Sequence, residues 1–379
     1  MKTPPTSLYI HFPWCVQKCP YCDFNSHPIK SKIPSKEYIN KLIFDMDLHK
    51  NLFQERQIQS IFLGGGTPSA FPSADMEILF KYIFRSLNLK PQAEITLEAN
   101  PGSIERNHFK TYRDMGINRI SIGAQSFQND KLKSLGRIHD DKHIYQAVDE
   151  ITSSGFQNFN IDIMHGLPKQ TKKDAIYDLM EAIKLKPTHI SWYQLTLEPK
   201  TPFFNNPPTL PNEDTLDHIE QAGKKLLEKF LYNQYEVSAY SKNKNNQSIH
   251  NINYWEFGDY IGVGAGAHSK ITNTQSNIIS RISKHKSPRR YLSESSPIDN
   301  YERITKKALV YEFMINALRL KNGFTKELFE SRTGLKYIDI CNKIIEAQEK
   351  GLILSNQQNI IKPSKKGETF LNDLITIFS

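Results

Sequence analysis

Three cysteines near the beginning of the chain have the types and spacing of a metal-binding motif. Cys15, Cys19 and Cys22 lie in the segment HFPWCVQKCPYCDF, and the fourth cysteine of the sequence is the distant Cys341. Three thiolates can bind three irons of a cubic [4Fe–4S] cluster and leave the fourth iron open to another ligand. An open iron allows chemistry at the metal, and the chemistry typical of this C-x3-C-x2-C spacing is reductive cleavage of S-adenosylmethionine (SAM).

A zinc site and disulfides are the alternatives for these cysteines. His11 or His27 would complete a Cys3His zinc site. Disulfides fit less well, because the cluster has an odd number of thiols and the first residues, MKTPPTSLYIHF, lack the features of a secretion signal. We therefore predict an iron–sulfur cluster, with zinc as the alternative. Cys341 lies in the apolar helical pattern IDICNKII, where we expect a buried, inert thiol.

Composition and charge restrict the class of protein. The sequence has no apolar run of the roughly 18–20 residues that span a bilayer, and reduced thiols predict the cytoplasm. The net charge of +9 admits nucleic-acid binding. However, the lysines are scattered and RISKHKSPRR (281–290) is the one dense basic run, so we expect solvated charged faces and no nucleic-acid partner. Attraction of a multiply anionic small ligand is a further interpretation.

Apolar β-branched runs alternate with amphipathic helical patterns along the first half of the chain. The predicted strands are Leu8–Phe12, Gln59–Leu63, Ala93–Glu98, Arg119–Ile122, Asn158–Ile163 and His189–Leu195, and the predicted helices are Ser35–Phe53, Ser73–Leu87, Ile104–Met115, Tyr145–Ser154 and Lys172–Leu185. Ser35 and Ser73 are predicted helix caps. Six β–α repeats predict an α/β fold, a partial (β/α)6 barrel of the TIM type that is open at one side.

The second half of the chain predicts a cover, a linker and a small domain. The predicted elements are an excursion over the open side of the barrel at Thr196–Asp214, a helix at Glu213–Leu231, a polar loop at Ser241–Ser248, a surface linker at Ile271–Asn300, helices at Thr325–Ser331 and Lys336–Lys350, and a hairpin in GLIL…NIIKPS. We therefore predict a barrel over residues 1–235, a connecting segment over 236–300 and a C-terminal, mainly helical, winged-helix-like domain over 301–379.

Polar residues follow several predicted strands, at the barrel edge where (β/α) barrels carry their chemistry. They are the three cysteines, the turn Gly64–Pro68, Glu98, Gln125 and Asp162. The triglycine turn permits close backbone approach to a ligand. Arg137, in SLGRIHD, suits a carboxylate, Glu98 suits an ammonium or hydroxyl group, and Gln125 and Asp162 suit ribose hydroxyls. Taken singly, each of these side chains is more often a satisfied structural group than a ligand-binding one. The triglycine turn alone is equally compatible with a tight strand–helix turn without a ligand.

The ordered motifs YIHFPWC…CPYC, GGGTPS, LEANP, GAQSF and NIDIMHGLPKQT resemble the radical SAM family. More narrowly, they resemble the group of oxygen-independent coproporphyrinogen III oxidases, from about residue 7 to the C-terminus. The resemblance implies that Cys15, Cys19 and Cys22 bind a [4Fe–4S] cluster. It also implies cofactor contacts to SAM and beside the cluster by Tyr9, Tyr21, Gly65, Gly66, Thr67, Glu98, Gln125, Arg137 and Asp162.

Two departures from the oxidases make the chain similar to the haem chaperones of the same group. Phe24 occupies the position of a further cysteine in the oxidases, and the sequence begins a few residues before the first strand, where the oxidases carry an extension. In addition, the segment HNINYW (250–255) matches the HNxxYW signature of the chaperones. The resemblance implies haem contacts by His250, Asn251, Tyr254 and Trp255, since imidazole binds iron and aromatic faces pack on a macrocycle. The residues alone favour a loop histidine and core packing.

The resemblance therefore implies a haem chaperone with a [4Fe–4S] cluster and SAM, which hands haem to an acceptor haem protein such as a respiratory enzyme. The alternative enzymatic function is oxidative decarboxylation of coproporphyrinogen III, and a nucleic-acid-modifying radical SAM enzyme is a second alternative. No catalytic residue is assigned. The sequence leaves open whether SAM is cleaved, whether the protein forms a homodimer, and whether a membrane-associated acceptor is a transient partner.

Overall fold

The computed structural model describes residues 1–102, 108–354 and 359–379. The strands are β1 (Thr6–Phe12), β2 (Trp14–Cys15), β3 (His27–Pro28), β4 (Ile58–Gly65), β5 (Leu89–Ala99), β6 (Arg119–Gln125), β7 (Phe159–His165), β8 (His189–Gln194), β9 (Asn233–Gln234), β10 (Ala239–Ser241), β11 (Asp259–Val263), β12 (His268–Asn273), β13 (Ile278–Lys284), β14 (Ile298–Arg303), β15 (Phe324–Thr325), β16 (Ile353–Leu354) and β17 (Ile360–Pro363).

The helices lie between and after these strands. They are α1 (Ser35–Asp47), α2 (Lys50–Glu55), α3 (Ser73–Ser86), α4 (Phe109–Asp114), α5 (Asn129–Ser134), α6 (Asp141–Ser153), α7 (Lys172–Lys184), α8 (Pro202–Asn205), α9 (Glu213–Lys229), α10 (Ile249–Trp255), α11 (Pro288–Ser293), α12 (Lys306–Ala317), α13 (Lys326–Thr333), α14 (Cys341–Glu349), α15 (Lys365–Thr369) and α16 (Leu371–Thr376). Within the described ranges, no helix is both long enough and apolar enough to span a membrane.

The six predicted strands form the parallel core of the main sheet, so the predicted partial barrel is confirmed. The order β1-β4-β5-β6-β7-β8 follows the chain, and each neighbouring pair is parallel. Side chains alternate between the two faces of a strand. Leu8 and Ile10 therefore join the apolar core beneath the outer helices. Ser7 and Tyr9 face the inside of the barrel, where they contact Ser60 and Phe62.

The prediction of a surface linker at Ile271–Asn300 is wrong, because these residues extend the main sheet. Strand β11 adds to β1 in parallel, and β12, β13 and β14 follow as antiparallel neighbours. The serine- and lysine-rich composition suggested solvent exposure. Lys284 of this segment is instead 0% exposed, and Lys270, directly before the segment, is 1% exposed, since each pairs with a buried aspartate. The predicted domain boundaries at residues 235 and 300 stay a prediction.

The predicted capping of α1 and α3 by serine is wrong. Ser35 and Ser73 are the first helical residues, and the residues before them, Pro34 and Pro72, cannot cap through a side chain. The hydroxyl of Ser35 instead donates to Asp75 Oδ2 at 2.6 Å. This bond joins α1 to α3 at their N-terminal ends. The part of the predicted helix at residues 104–107 lies outside the described residues.

The C-terminal helices enclose a separate apolar core, as the predicted mainly helical domain requires. Phe313 contacts Phe324 and Phe329 edge-on, and Phe257 from the preceding segment packs into the same cluster. Strands β15, β17 and β16 form a small antiparallel sheet that includes the predicted hairpin. Cys341 begins α14 and is partly exposed rather than buried.

A buried ionic cluster joins the sheet extension to the barrel. Asp259 is fully buried and accepts from Arg56 Nη1 at 2.5 Å and from Lys270 Nζ at 2.7 Å. The backbone and hydroxyl of Thr272 also donate to this carboxylate, at 2.7 and 2.8 Å. A buried carboxylate with four donors is stable only as a complete set, because loss of one member leaves unpaired buried charge.

We predict that Asp259→Ala lowers the free energy of unfolding by about 3–5 kcal/mol, because Arg56 and Lys270 would remain buried without an anion. Urea unfolding followed by circular dichroism measures the change. The control is Glu346→Ala, which removes an exposed ion pair with Lys350. It is expected to cost less than about 0.5 kcal/mol. A loss below about 1 kcal/mol for Asp259→Ala would contradict the prediction.

Candidate functional site

The barrel has two groups of candidate residues, which lie at opposite ends. Most of the residues that the sequence predicts to contact cofactors lie where the parallel strands end, and they are connected there by hydrogen bonds. This end of the barrel is called the rim below. The residues of the HNxxYW segment lie on α10, which packs against β4, β1 and β11 at the other end. That end is called the floor.

The three cysteines lie on one loop of the rim, and all three are free thiols. Cys15 ends the short strand β2, and its Sγ lies 3.7 Å from the carbonyl oxygen of His27. Cys19 Sγ lies 3.9 Å from the carbonyl oxygen of Gly136. Cys22 is partly exposed, and its Sγ lies 3.7 Å from Ser26 Oγ. Burial raises the pKa of the Cys15 thiol.

The triglycine turn, which includes the last two residues of β4, is packed against the backbone of the first two strands. The N–H groups of Gly66 and Thr67 donate to the carbonyl oxygens of Phe12 and Trp14, at 2.6 and 2.7 Å. A Cβ at Gly66 would lie 2.3 Å from the Trp14 oxygen. Glycine is therefore required here by the close approach to the backbone of Phe12 in β1 and Trp14 in β2. The Gly66 and Thr67 N–H groups are already used, so these two residues offer a ligand their carbonyl groups and the Thr67 hydroxyl.

Arg137 connects the cysteine loop to the strand ends. Its Nη1 donates to Cys19 Sγ at 3.7 Å, and its Nη2 donates to Gly123 O at 2.9 Å and Asn100 Oδ1 at 2.6 Å. Asn100 Nδ2 in turn donates to Thr67 Oγ1 at 3.0 Å. The Nε atom of Arg137 is buried and has no hydrogen-bond partner. A guanidinium with an unused donor is suited to bind a carboxylate.

Glu98 lies beneath the triglycine turn. Its Oε2 accepts from the Gly65 N–H at 3.0 Å. Burial raises the pKa of Glu98 to about 7, and the nearby Asp162 adds to the increase while the Gly65 N–H opposes it. The carboxyl group therefore changes its protonation state near neutral pH. A ligand ammonium group beside it would favour the charged form.

Asp162 and Gln125 lie on the inner faces of β7 and β6. The carboxylate of Asp162 accepts from Ser121 Oγ at 3.1 Å and Asn160 Nδ2 at 2.8 Å, and burial raises its pKa. Gln125 has a φ of 68°, in the left-handed region that costs energy for residues with a side chain. Its Oε1 accepts from Tyr193 OH at 2.8 Å. Strain of this kind is frequent at ligand sites.

Tyr9 connects the rim to the floor. Its hydroxyl lies 3.0 Å from His11 Nδ1, and His11 Nε2 lies 2.9 Å from the carbonyl oxygen of Asn25. A carbonyl only accepts, so Nε2 carries the proton of His11 and Tyr9 donates to Nδ1. The ring of Tyr9 also packs near Phe62 and His250, with centroid distances of 6.3 Å to each.

Tyr21 packs beside the cysteines, against the proline-rich segment that follows β8. Its ring centroid lies 6.4 Å from that of Phe203, and the Phe203 N–H donates to Pro20 O at 3.0 Å. Tyr21 belongs to a small apolar cluster with Leu135 and Leu167. The segment after β8 therefore contacts the cysteine loop.

His250 is 1% exposed and lies inside the barrel floor. Its Nδ1 lies 3.1 Å from Ser60 Oγ, and its Nε2 lies 3.0 Å from Tyr254 OH. Glu94 accepts from the backbone N–H of His250 at 3.1 Å and so satisfies the first turn of α10. Burial lowers the pKa of His250 to about 3, so the imidazole is neutral. The ring is available to iron only if the hydrogen bond to Tyr254 or Ser60 breaks.

Asn251 and Trp255 of this segment are nearer the surface. Trp255 is partly exposed, and the guanidinium of Arg319 lies 4.3 Å from its ring centroid. Its Nε1 is buried without a hydrogen-bond partner. Asn251 is also partly exposed, and its backbone N–H donates to the Ser248 side chain at 3.3 Å.

Two residues of the rim network were not predicted from the sequence. Asn100 bridges Thr67 and Arg137, and Tyr193 contacts Gln125. Asn100 directly follows the LEA of strand β5, so the rule that selected Glu98 also applied to it. Tyr193 lies near the end of β8, for which no site residue was predicted. Within the ranges that the structure describes, no three His, Cys, Asp or Glu side chains converge on a single metal-ion site.

Comparison with known proteins identifies the family and supports the fold. The family model of the radical SAM superfamily matches residues 9–183, and that of the HemN C-terminal domain matches residues 304–370. The haem chaperone HemW of Haemophilus influenzae is 46% identical, covering 100% of this chain and 98% of the relative. HemW of Escherichia coli is 43% identical, covering 100% of this chain and 99% of the relative.

A solved structure supports the fold alone. The radical SAM coproporphyrinogen III oxidase HemN of Escherichia coli superposes with a TM-score of 0.83, covering 99% of this chain and 90% of that one, at 21% identity. The two HemW relatives are 46% and 43% identical to this chain over its full length, far above the 21% of HemN. They show that the chain belongs to the radical SAM superfamily and, within it, to the HemW family.

We predict that Glu98→Gln stabilises the protein at alkaline pH. The folded-state pKa of about 7 lies above the ordinary value of 4.5, so ionising Glu98 opposes folding. This cost is small near pH 5 and grows as pH rises through the folded pKa. The gain from Glu98→Gln should therefore increase by about 2 kcal/mol between pH 5 and pH 8. Urea unfolding of both proteins at the two pH values measures it, and a pH-independent difference would contradict the prediction.

Proposed function

We propose that this protein is a haem chaperone, which binds haem and transfers it to an acceptor haem protein. The observation that carries the proposal is the full-length identity of 43–46% to relatives named haem chaperones. The presence of the HNxxYW segment and of Phe24, in place of a further cysteine, supports it. The proposed acceptor is a respiratory haem enzyme, met in the cytoplasm or transiently at a membrane. A homodimer fits the same proposal.

A [4Fe–4S] cluster and SAM are proposed as cofactors at the rim. The free thiols of Cys15, Cys19 and Cys22 would bind the cluster, with Tyr21 packed beside it. The residues that would contact SAM are Tyr9, Gly65, Gly66, Thr67, Glu98, Gln125, Arg137 and Asp162. When bound, the cluster would supply the electron that reductive cleavage of SAM requires.

The residues of the rim fit SAM by charge. Arg137 has a buried Nε without a partner, which suits the carboxylate of the methionyl group. Glu98 is buried with a pKa near 7, so it can become the anion that an ammonium group requires. Asp162 provides acceptors for ribose hydroxyls. The triglycine turn contributes carbonyl groups, because the Gly66 and Thr67 N–H groups are bonded to the protein.

Haem is proposed to bind at the HNxxYW segment, through His250, Asn251, Tyr254 and Trp255. Trp255 and Asn251 are partly exposed and are accessible for a first contact. Ligation by His250 requires release of its Nε2 from Tyr254 and movement of α10 away from the floor, because the ring is buried. The neutral state of the imidazole suits iron ligation once it is released.

We predict that anaerobically reconstituted protein contains about four irons and four sulfides per chain. Cys19→Ser should lose most of this iron and sulfide, because only two thiolates would remain on the loop. The matched control is Cys341→Ser, which removes the cysteine of α14 and should leave the content unchanged. Chemical quantitation of iron, zinc and sulfide provides the measurement. Zinc without sulfide in the wild-type protein would refute the cluster.

We predict opposite effects of two substitutions on haem binding. His250→Ala should change the Soret spectrum and weaken binding, because it removes the proposed iron ligand. Tyr254→Phe should strengthen binding about fivefold, since it removes a hydrogen bond worth about 1 kcal/mol that holds Nε2 in the free protein. Spectroscopic haem titrations of the three proteins measure both effects. Identical Soret spectra for wild type and His250→Ala would exclude His250 as the ligand.

An activity assay of the same preparations distinguishes a chaperone from an oxidase. Reconstituted protein is incubated anaerobically with coproporphyrinogen III, SAM and a reductant. We expect no protoporphyrinogen IX. Its formation would contradict the chaperone proposal.

A further inference from the structure

We propose that Asn100 is a positioning residue, which holds the Arg137 guanidinium between the binding position of the SAM carboxylate and the sulfur of Cys19, and thereby sets the reduction potential of the cluster. This inference rests on the proposed cofactors. It concerns a residue that was not among the site residues predicted from the sequence.

The orientation of the Asn100 amide is fixed by its partners. Arg137 can only donate, so the atom that lies 2.6 Å from its Nη2 must be the oxygen. The amide nitrogen is therefore the group 3.0 Å from Thr67 Oγ1, and it donates to that hydroxyl. Thr67 keeps its own proton for another acceptor. One asparagine thus orients a side chain on each side of the site.

The position of the guanidinium follows from three acceptors. Asn100 Oδ1 and the Gly123 carbonyl oxygen both accept from Nη2, which leaves Nη1 directed at Cys19 Sγ, 3.7 Å away. The remaining donor, Nε, is buried and unpartnered. Without Asn100, the Gly123 carbonyl would be the one acceptor left on Nη2. A long side chain with one such bond has more rotamer freedom, and ordering it costs more free energy on binding.

A fixed cation at a ligand sulfur affects the cluster directly. Reduction adds negative charge to an iron–sulfur cluster, and hydrogen bonds to its sulfurs and nearby positive charge favour the reduced state. Arg137 supplies both to Cys19. Removal of its charge or of its fixed position should therefore make the cluster harder to reduce. The same change should weaken SAM binding, because the carboxylate loses an oriented partner.

The decisive variant is Asn100→Asp, which keeps the shape of the side chain but pairs an anion with Arg137. We expect the midpoint potential of the cluster to shift to more negative values and SAM affinity to fall about tenfold or more. Asn100→Ala should shift the potential in the same direction by a smaller amount, because the charge of Arg137 remains. The matched control is Asn212→Asp at the exposed N-cap of α9, where the side chain accepts from the Thr215 N–H. It adds the same charge outside the hydrogen-bond network of Arg137 and should leave both quantities unchanged.

The measurements are redox titration of the reconstituted cluster, followed by its electron paramagnetic resonance signal, and equilibrium binding of SAM. Iron and sulfide content and circular dichroism establish that each variant is folded and loaded. An unchanged potential in loaded Asn100→Asp would overturn the inference while the cluster proposal stands. If Asn100→Asp does not assemble a cluster, the potential of Asn100→Ala decides in its place. A wild-type protein without iron and sulfide would overturn both proposals, and the content assay identifies that outcome.

Discussion

The structure depends on a polar barrel interior whose groups must satisfy one another. The inner faces of the parallel strands carry charged and polar side chains, and burial of such groups without partners costs several kcal/mol. Glu94 and Arg119 are 5% and 2% exposed inside the barrel. Helix α10 closes this interior and forms hydrogen bonds with its side chains. Glu94 accepts from the first turn of the helix, and Ser60 contacts His250. The floor and the strands therefore stabilise each other.

The same constraint relates the floor to the rim. Tyr9 packs near His250 on one side and donates to His11 on the other, and His11 donates to the backbone of Asn25 on the cysteine loop. Displacement of α10 would expose one side of Tyr9 and Phe62, whose rings pack near the imidazole. A haem-binding step that releases His250 would therefore change the environment of a residue proposed to contact SAM. This contact is a physical route by which the two ends of the barrel can influence each other.

The barrel was predictable because its buried β-branched runs alternate regularly with helices, and the rim was predictable because strand ends place polar groups together. The sheet extension was not, since its burial relies on ion pairs between residues far apart in the sequence. Lys284 pairs with Asp45, and Lys270 pairs with Asp259 while Arg56 reaches the same carboxylate from α2's end. No local pattern distinguishes such lysines from solvated ones. The contacts made by Asn100 likewise became evident only when Thr67 and Arg137 were placed in space.

The placement of His250 bears on how a chaperone of this kind would release its cargo. A haem site that is closed in the free protein has a lower apparent affinity for haem, because the free energy of opening reduces the free energy of binding. A carrier needs such a limit, since a haem bound too tightly would not pass to an acceptor. In this chain Tyr254 contacts Nε2 of the His250 imidazole and Ser60 contacts Nδ1, so both nitrogens are occupied before haem binds. The packing of α10 on the floor also opposes opening. Once an acceptor has contacted haem, re-forming the hydrogen bonds that close the floor would favour return of α10. That return would displace haem from His250.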